Sequence, residues 1–288
     1  MSDLSALIPQ IAGTIILFNP DVSVSENIVR IISQTDHLFI IDNSDKKADW
    51  LNGVVNGNEK VSYHGLGGNR GIGYALNLAS RLAMKSNYRF LLTMDQDSTP
   101  PPDLVSGILS RVPNLETLGL AGPLISPKES YQPKADIEEI DTLFTSGCIV
   151  NLLAWEVVGG YRDDFFIDHV DFEFCLHLLH KGYKNYRVNA VAMEHRLGNL
   201  KTKHLFGRPF FPSNHNAVRW YYMTRNRRIV RATYKKSFPH YVHFDILSEL
   251  KSLIKMIVFE KQKLLKLLMF FRGMRDFKKG ITGVYTGP

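Results

Sequence analysis

The feature that most constrains the fold is a rhythm. Five short apolar runs, each ending in turn residues or glycine, alternate with segments of helical periodicity as far as Ile125. IAGTIILF (Ile11 to Phe18) stops at Asn19-Pro20, HLFIIDNS (His37 to Ser44) at Asp-Asn-Ser, and VSYHGLGGN (Val61 to Asn69) in a glycine turn. YRFLLTMDQDS (Tyr88 to Ser98) ends in two aspartates, and LGLAGPLI (Leu118 to Ile125) is the fifth run. Between them SVSENIVRIISQ, GIGYALNLASRLAMK and DLVSGILSRV have helical spacing. Short apolar runs bounded by turns read as buried strands, and their alternation with helices predicts a mostly parallel sheet covered on both faces. Ligands of such sheets bind at the carboxyl ends of the strands. Asp42, Asn69, Asp95 and Asp97 all fall at such ends.

The rest of the chain is less regular. LFTSGCIVN reads as a strand, Asp168 to Gly182 as a helix stopped by glycine, and NYRVNAVAMEHR as a strand. HNAVRWYYMTRNRRIVRATY reads as a basic, aromatic helix, and Ile246 to Arg272 as one last long helix. At 288 residues the chain is long enough for one large α/β domain or a domain with an appendage. Cys148 and Cys175 sit in apolar runs without metal-ligand spacing, which fits buried thiols in a reducing compartment. MSDLSALIPQ lacks the basic start and apolar run of a secretory signal, and no stretch approaches the ~20 apolar residues of a spanning helix, so a cytosolic protein is expected.

Charge divides the chain. Residues 1–195 hold 15 Lys and Arg against 24 Asp and Glu, a net of −9; residues 196–288 hold 20 against 4, a net of +16. The basic part should meet an anion: nucleic acid, a phosphorylated ligand or an anionic membrane.

GGNRGIGYALNLA (Gly67 to Ala79) has the strand–glycine–helix order of a phosphate-binding turn. Its GxxGxG spacing matches short-chain dehydrogenases, but there it follows the first strand, and here two strands and a helix come first. No tyrosine has lysine four residues later, the pair those enzymes need, and a dehydrogenase leaves the acidic strand ends unexplained. A tight turn with close helix packing is an equal reading of the glycines. The DQD of Asp95 to Asp97 is more telling. Two carboxylates flanking one residue at a strand end repel one another, and a divalent cation removes that cost while bridging to a diphosphate. The alternative is a solvated turn before Pro100 to Pro102.

Together these blocks resemble the inverting nucleotide-sugar glycosyltransferases of family 2, nearest their bacterial rhamnosyltransferase-like branch, over nearly the whole chain. The resemblance is carried by LFNP (Leu17 to Pro20), IIDNS (Ile40 to Ser44), GGNRGIGYALN, MDQDS (Met94 to Ser98), TSGCIVN (Thr145 to Asn151), FIDHVDFEFCLHL (Phe166 to Leu178), MEHRLG (Met193 to Gly198) and YYMTRN (Tyr221 to Asn226). It implies a GT-A fold, Rossmann-like with a mostly parallel central sheet flanked by helices, and a basic C-terminal helical extension. The domain would span 1–235, with a nucleotide-binding half to about 127 and an acceptor-binding half from about 128, followed by an amphipathic tail, 236–288.

The resemblance also implies roles. Phe18, Asn19 and Pro20 would line the base pocket, and Asp42 would accept from the pyrimidine N3–H of a UDP- or dTDP-sugar. Asn69, Gly71 and Gly73 would let backbone approach the nucleotide, and Asp95 would touch ribose or sugar. Asp97 and His195 would ligate Mn²⁺ or Mg²⁺. Asp171 is the candidate general base, with Asp163, Asp164 and Glu173 as competitors and Asp168 as a helix cap. Thr145, Ser146, Gly147 and Glu173 would serve the acceptor side. Arg225 and Asn226 would face the diphosphate, with a basic helical face as the equal alternative. His177 departs from the family, where many relatives carry arginine, and Arg70 of the glycine loop has no assigned partner.

On a helical wheel from Leu250 to Arg272, Leu250, Leu253, Ile254, Ile257, Leu264, Leu265, Leu268 and Phe271 share one stripe opposite Lys251, Lys255, Gln262, Lys263 and Lys266, with Lys261 breaking it. Such a helix suits a membrane interface, its own domain or a dimer contact. No nucleic-acid motif occurs, so no nucleic-acid partner is expected; the oligomeric state stays open. The resemblance implies transfer of L-rhamnose from dTDP-L-rhamnose to a saccharide or polyprenyl-diphosphate-linked acceptor in O-antigen or other surface polysaccharide assembly, at the cytoplasmic membrane face. The alternatives are a UDP-sugar donor (galactofuranosyl, glucosyl or N-acetylglucosaminyl transfer) and a non-catalytic saccharide- or nucleotide-binding protein.

Overall fold

The structure, a computed structural model, describes residues 10–125, 133, 135–195, 203–205, 208–210 and 214–287. The N-terminal stretch read for a secretory signal lies almost wholly outside the described residues. The chain divides into two compact units: 1–163 with 171–195, and 164–170 with 196–288.

The first unit runs β1 (Ile11–Leu17), α1 (Val24–Ile32), β2 (His37–Asp42), α2 (Leu51–Val55), β3 (Val61–Gly65), α3 (Ile72–Lys85), β4 (Phe90–Asp95), β5 (Ser98–Thr99), α4 (Leu104–Leu109), β6 (Leu118–Ile125), β7 (Ile137–Glu139), β8 (Cys148–Asn151), α5 (Leu152–Val157), α6 (Val170–His180) and β9 (Lys184–His195), with Val170 of α6 itself counted in the other unit. The sheet order is β3-β2-β1-β4-β8-β6-β9-β5, with β7 on β9. β3, β2, β1 and β4 are parallel, as the apolar runs predict; β8 enters antiparallel to β4 and β6. Every residue of β1 is buried, the signature of a central strand covered on both faces. α1 buries Val24, Ile28 and Ile31, spaced four and three apart, and Glu26 and Arg30 complement its dipole. Each helix returns the chain to the same sheet edge, so the carboxyl ends of β1, β2, β3 and β4 lie side by side.

The second unit holds the hairpin of β10 (Lys203–Leu205) and β11 (Arg208–Phe210), then α7 (Ala217–Tyr234), α8 (Pro239–Phe259) and α9 (Lys263–Lys278). Asn216 caps α7, accepting from the Arg219 N–H at 2.8 Å, and Pro239 sits in the first turn of α8. Trp220, Tyr221, Met256 and Phe270 form its core. The expected boundary at 235/236 falls inside this unit, between α7 and the helices packed with it.

The single long helix expected over 246–272 is two. α8 ends at Phe259 and α9 starts at Lys263, with Gln262 in the left-handed region at φ 55°. Lys266, placed by the wheel on the solvent side, is buried and bonded to Glu260 at 2.6 Å. No helix among the described residues is long and apolar enough to cross a membrane.

Candidate active site

The strand tips are tied to one another by short polar side chains. In the β1 register Leu17 pairs with Asp42 and Ile16 with Asp95, so β1 separates two aspartates by roughly 10 Å, two strand spacings. Gln96, the middle residue of DQD, donates its amide to the Phe18 carbonyl at 3.1 Å and accepts from the Phe18 N–H at 2.8 Å. The Asn19 N–H donates to Ser44 Oγ at 2.7 Å. Asn43 Oδ1 accepts from the Arg70 N–H at 3.0 Å, and Asn69 Oδ1 from the Gly71 N–H at 2.9 Å. Thus LFNP, IIDNS, the glycine turn and DQD are laced into one ledge. Phe18, Asn19, Asn69, Arg70 and Asp97 are exposed on it, Asp95 is half-buried, and Pro20 is buried with its carbonyl accepting from Trp50.

Asp42 is 1% exposed. Its carboxylate accepts from the Ser44 N–H at 2.9 Å and from the Tyr63 hydroxyl at 2.9 Å. Burial, then the Asp42 carboxylate, push the Tyr63 phenol well above its ordinary range, so it stays a donor. Tyr63 therefore covers the group expected to read a pyrimidine base.

Gly71, at φ 88°, precedes the first residue of α3. Gly73 has a different job from the expected nucleotide contact: a Cβ there would lie 2.6 Å from the Arg162 carbonyl oxygen, so it is a close-packing residue. Asn77, one turn on, is buried and anchors the same loop. It donates to the Tyr161 carbonyl and the Asp163 carboxylate and accepts from Trp155 Nε1 and the Tyr161 N–H.

β8 registers Cys148 against Thr93 of β4, which brings the Thr145–Gly147 turn beside Asp95. Ser146 is buried, accepts from the Asp95 N–H at 3.0 Å and donates to Ser98 Oγ at 2.7 Å. Gly147 is buried too, packed so closely that a Cβ would meet Met193 at 2.8 Å. These two support the β4 tip from beneath instead of offering a surface to an acceptor. Half-buried Thr145 and Asp171 share the lining of a cavity of about 10 Å³ with Tyr161, Phe174 and both cysteines. Burial pushes both thiols up, which makes them poor nucleophiles. Asp171 lies in the first turn of α6 and accepts from the Phe172 N–H at 2.9 Å; Glu173 is buried.

The donor set expected for a cation is one carboxylate and one imidazole. Ser98 of β5 pairs with His195 of β9, so Asp97 precedes the very residue that faces His195 across the ladder. The His195 side chain lies outside the described residues, as does MEHRLG beyond it. Among the described residues no group of three His, Cys, Asp or Glu could hold a metal.

In the second unit Arg225 is 0% exposed, which corrects its expected place at a diphosphate. Its guanidinium donates to the carbonyls of Asp164 at 3.1 Å, Phe165 at 3.2 Å and Gly283 at 2.7 Å. Asn226 Nδ2 is shared among the carbonyls of Phe165, Ile167 and Asp168, at 3.0, 2.8 and 3.0 Å. Asp168 does not play the expected cap: its carboxylate accepts from Arg219 at 3.0–3.1 Å. The strap 164–170 so held contains three non-glycine residues in the left-handed region, Phe166, Asp168 and His169 at φ 63–65°. Each costs free energy that the surrounding bonds must offset. By peptide bond the strap continues into Asp171.

The sequence reading missed Gln96, Asn43, Ser44 and Asn77. Asn77 left a signal, a polar residue on the buried stripe of α3 with Gly73, Leu76 and Ser80.

No protein-family profile matches the chain. Among curated proteins it is 28% identical over 243 residues to the dTDP-rhamnosyl transferase RfbF of Shigella flexneri, covering 75% of this chain and 78% of that one. Among solved structures it resembles S. aureus TarS 1-349 in complex with UDP-GlcNAc, with a TM-score of 0.59 and 12% identity over 94% of this chain and 81% of that one. It also resembles GalNAc-T7 with UDP, GalNAc and Mn²⁺, with a TM-score of 0.55 and 15% identity over 69% of this chain, spanning 44% of that chain. Both structural neighbours are GT-A glycosyltransferases.

Proposed function

We propose that this chain, a glycosyltransferase of the GT-A fold, moves L-rhamnose from dTDP-L-rhamnose to a hydroxyl of a saccharide or lipid-linked acceptor, with inversion. The observation that carries the donor choice is the sequence similarity to a dTDP-rhamnosyl transferase over three quarters of the chain. The ledge of strand tips supports it, since it gathers a buried carboxylate, exposed backbone and a glycine turn where a nucleoside diphosphate would lie.

In this reading the base rests against Phe18, Asn19 and Pro20, and Asp42 accepts from its N3–H once the Tyr63 hydroxyl swings aside. Asn69 and Gly71 present main chain to the nucleotide, and Asp95 meets the ribose or sugar. Asp97 and His195 would hold Mn²⁺ or Mg²⁺, which when bound offsets charge on the departing diphosphate. Asp171 takes the proton of the acceptor hydroxyl as that oxygen bonds to the anomeric carbon and the carbon–oxygen bond to the nucleoside diphosphate breaks. Thr145 and Glu173 serve the acceptor side. The nucleotide-binding half runs to about 127, and the acceptor half continues to about 235. The enzyme works at the cytoplasmic face of a membrane, extending surface polysaccharide such as O-antigen.

A second reading keeps the fold and the base but takes a UDP-sugar, which the UDP and UDP-GlcNAc complexes of the structural neighbours favour. Calorimetric titration with dTDP and UDP, with and without Mn²⁺, separates the two. Tighter, metal-dependent dTDP binding followed by transfer from dTDP-L-rhamnose is expected. Preference for UDP replaces the donor, and binding of neither overturns the proposal.

A further inference from the structure

The four carboxylates of residues 196–288 are all buried and all bridged to cations: Asp245 to Arg227 and Arg231, Glu249 to Arg228 and Arg231, Glu260 to Lys266, and Asp276 to Arg275. The solvent face of this segment therefore carries positive charge only. Against that face stands an unusual amount of exposed apolar surface. Of the twenty exposed large hydrophobic side chains among the described residues, eleven lie in α8 and α9. Phe244 is 70% exposed and Leu264 84%, with Leu250, Ile254, Ile257 and Phe271 about half exposed. The opposite side of α8, with Tyr241, Asp245, Glu249 and Met256, is the buried one. Lys251, Lys261 and Lys263 are exposed among these apolar positions.

Apolar area of this extent rimmed by charge marks an interaction surface. The charge selects the occupant. A second copy docked symmetrically by this same face would set lysine against lysine with no carboxylate to answer it. Nucleic acid would answer the lysines, but its polar backbone gives the exposed leucines and isoleucines, which outnumber the two phenylalanines, nothing apolar to bury against. An anionic bilayer answers both features, because leucine and phenylalanine enter the acyl boundary while lysines stay at the headgroups.

We propose that the outer faces of α8 and α9 form one membrane-docking surface for anionic phospholipid. This deepens the membrane-associated part of the proposed function and rests on that part alone. The test is flotation of the full-length protein with phosphatidylcholine vesicles, with and without phosphatidylglycerol. Ile254→Glu and Leu264→Glu, at exposed positions, are followed beside the wild type, with Tm and dTDP binding measured for each. The expected result is binding to phosphatidylglycerol vesicles that weakens with salt. Each variant should lose about tenfold or more in affinity with Tm and dTDP binding unchanged. Wild-type protein that fails to float, or variants that float equally well, overturn the proposal. So does a concentration-dependent dimer in sedimentation that the same variants abolish. Transfer to a soluble acceptor distinguishes failures: transfer without vesicle binding sinks this surface, and vesicle binding without transfer sinks the enzymatic reading.

Discussion

The carboxylates of the two units serve opposite ends. In the first unit the two aspartates at the β4 tip and Asp171 in the first turn of α6 stay nearer the surface, Asp97 exposed and Asp95 and Asp171 half-buried, while Asp42 at the β2 tip is buried. In the second unit the four carboxylates of residues 196–288 are buried against guanidinium or ammonium groups. A carboxylate at the open end of a parallel sheet lies where the ligands of such sheets bind. One enclosed among helices is kept by its partners and becomes part of the scaffold. The same residue type thus reads as reagent or as rivet according to the architecture around it.

This contrast can be broken by mutation. Asp171→Asn should lower kcat roughly 10²- to 10⁴-fold with Tm and donor binding unchanged, measured by initial rates and thermal melts. A variant that turns over normally removes Asp171 from the mechanism. Asp245→Asn should do the reverse. It leaves Arg227 and Arg231 buried beside a neutral amide, and a destabilisation of about 3–5 kcal/mol is expected by urea titration.

The pH profile sharpens the same point. Burial pushes the Asp245 and Glu249 carboxyls up, but the His169 ring with Arg227 and Arg231 outweighs it for Asp245, and Arg228 and Arg231 for Glu249, holding both below their ordinary values. Their contribution is present above the unfolded values near pH 4 and is lost as pH falls through the lower folded ones. The second unit should loosen first in acid, seen as a change at buried Trp220. Gly73→Ala should cost about 1–3 kcal/mol through the clash with the Arg162 carbonyl and lower donor affinity only secondarily. If donor binding falls without loss of stability, Gly73 touches the nucleotide after all.

Much of this was legible in the chain itself. Short apolar runs closed by turn residues alternate with segments of 3.6 periodicity, and that order as far as Ile125 announced the parallel half of the sheet and put Asp42, Asp95 and Asp97 at its ends. The glycosyltransferase reading of the ordered motifs also stands. Other features left no local mark. The break between α8 and α9 has neither glycine nor proline, because Gln262 adopts the left-handed turn that glycine usually marks. The antiparallel entry of β8 depends on partners distant in sequence.

What the sequence determined by itself is the alternation of strands and helices as far as Ile125, the strand-tip carboxylates and the charge division, since each follows from local pattern and residue type. What only the tertiary structure decided is which polar groups are consumed. Arg225, Ser146 and Gly73 read as ligand contacts in the motif, yet folding commits Arg225 to three backbone carbonyls, Ser146 to the β4 tip and Gly73 to the Arg162 loop. A buried hydrogen-bonding group must find a partner within the protein, and that partner sits far along the chain, so no window of sequence contains both.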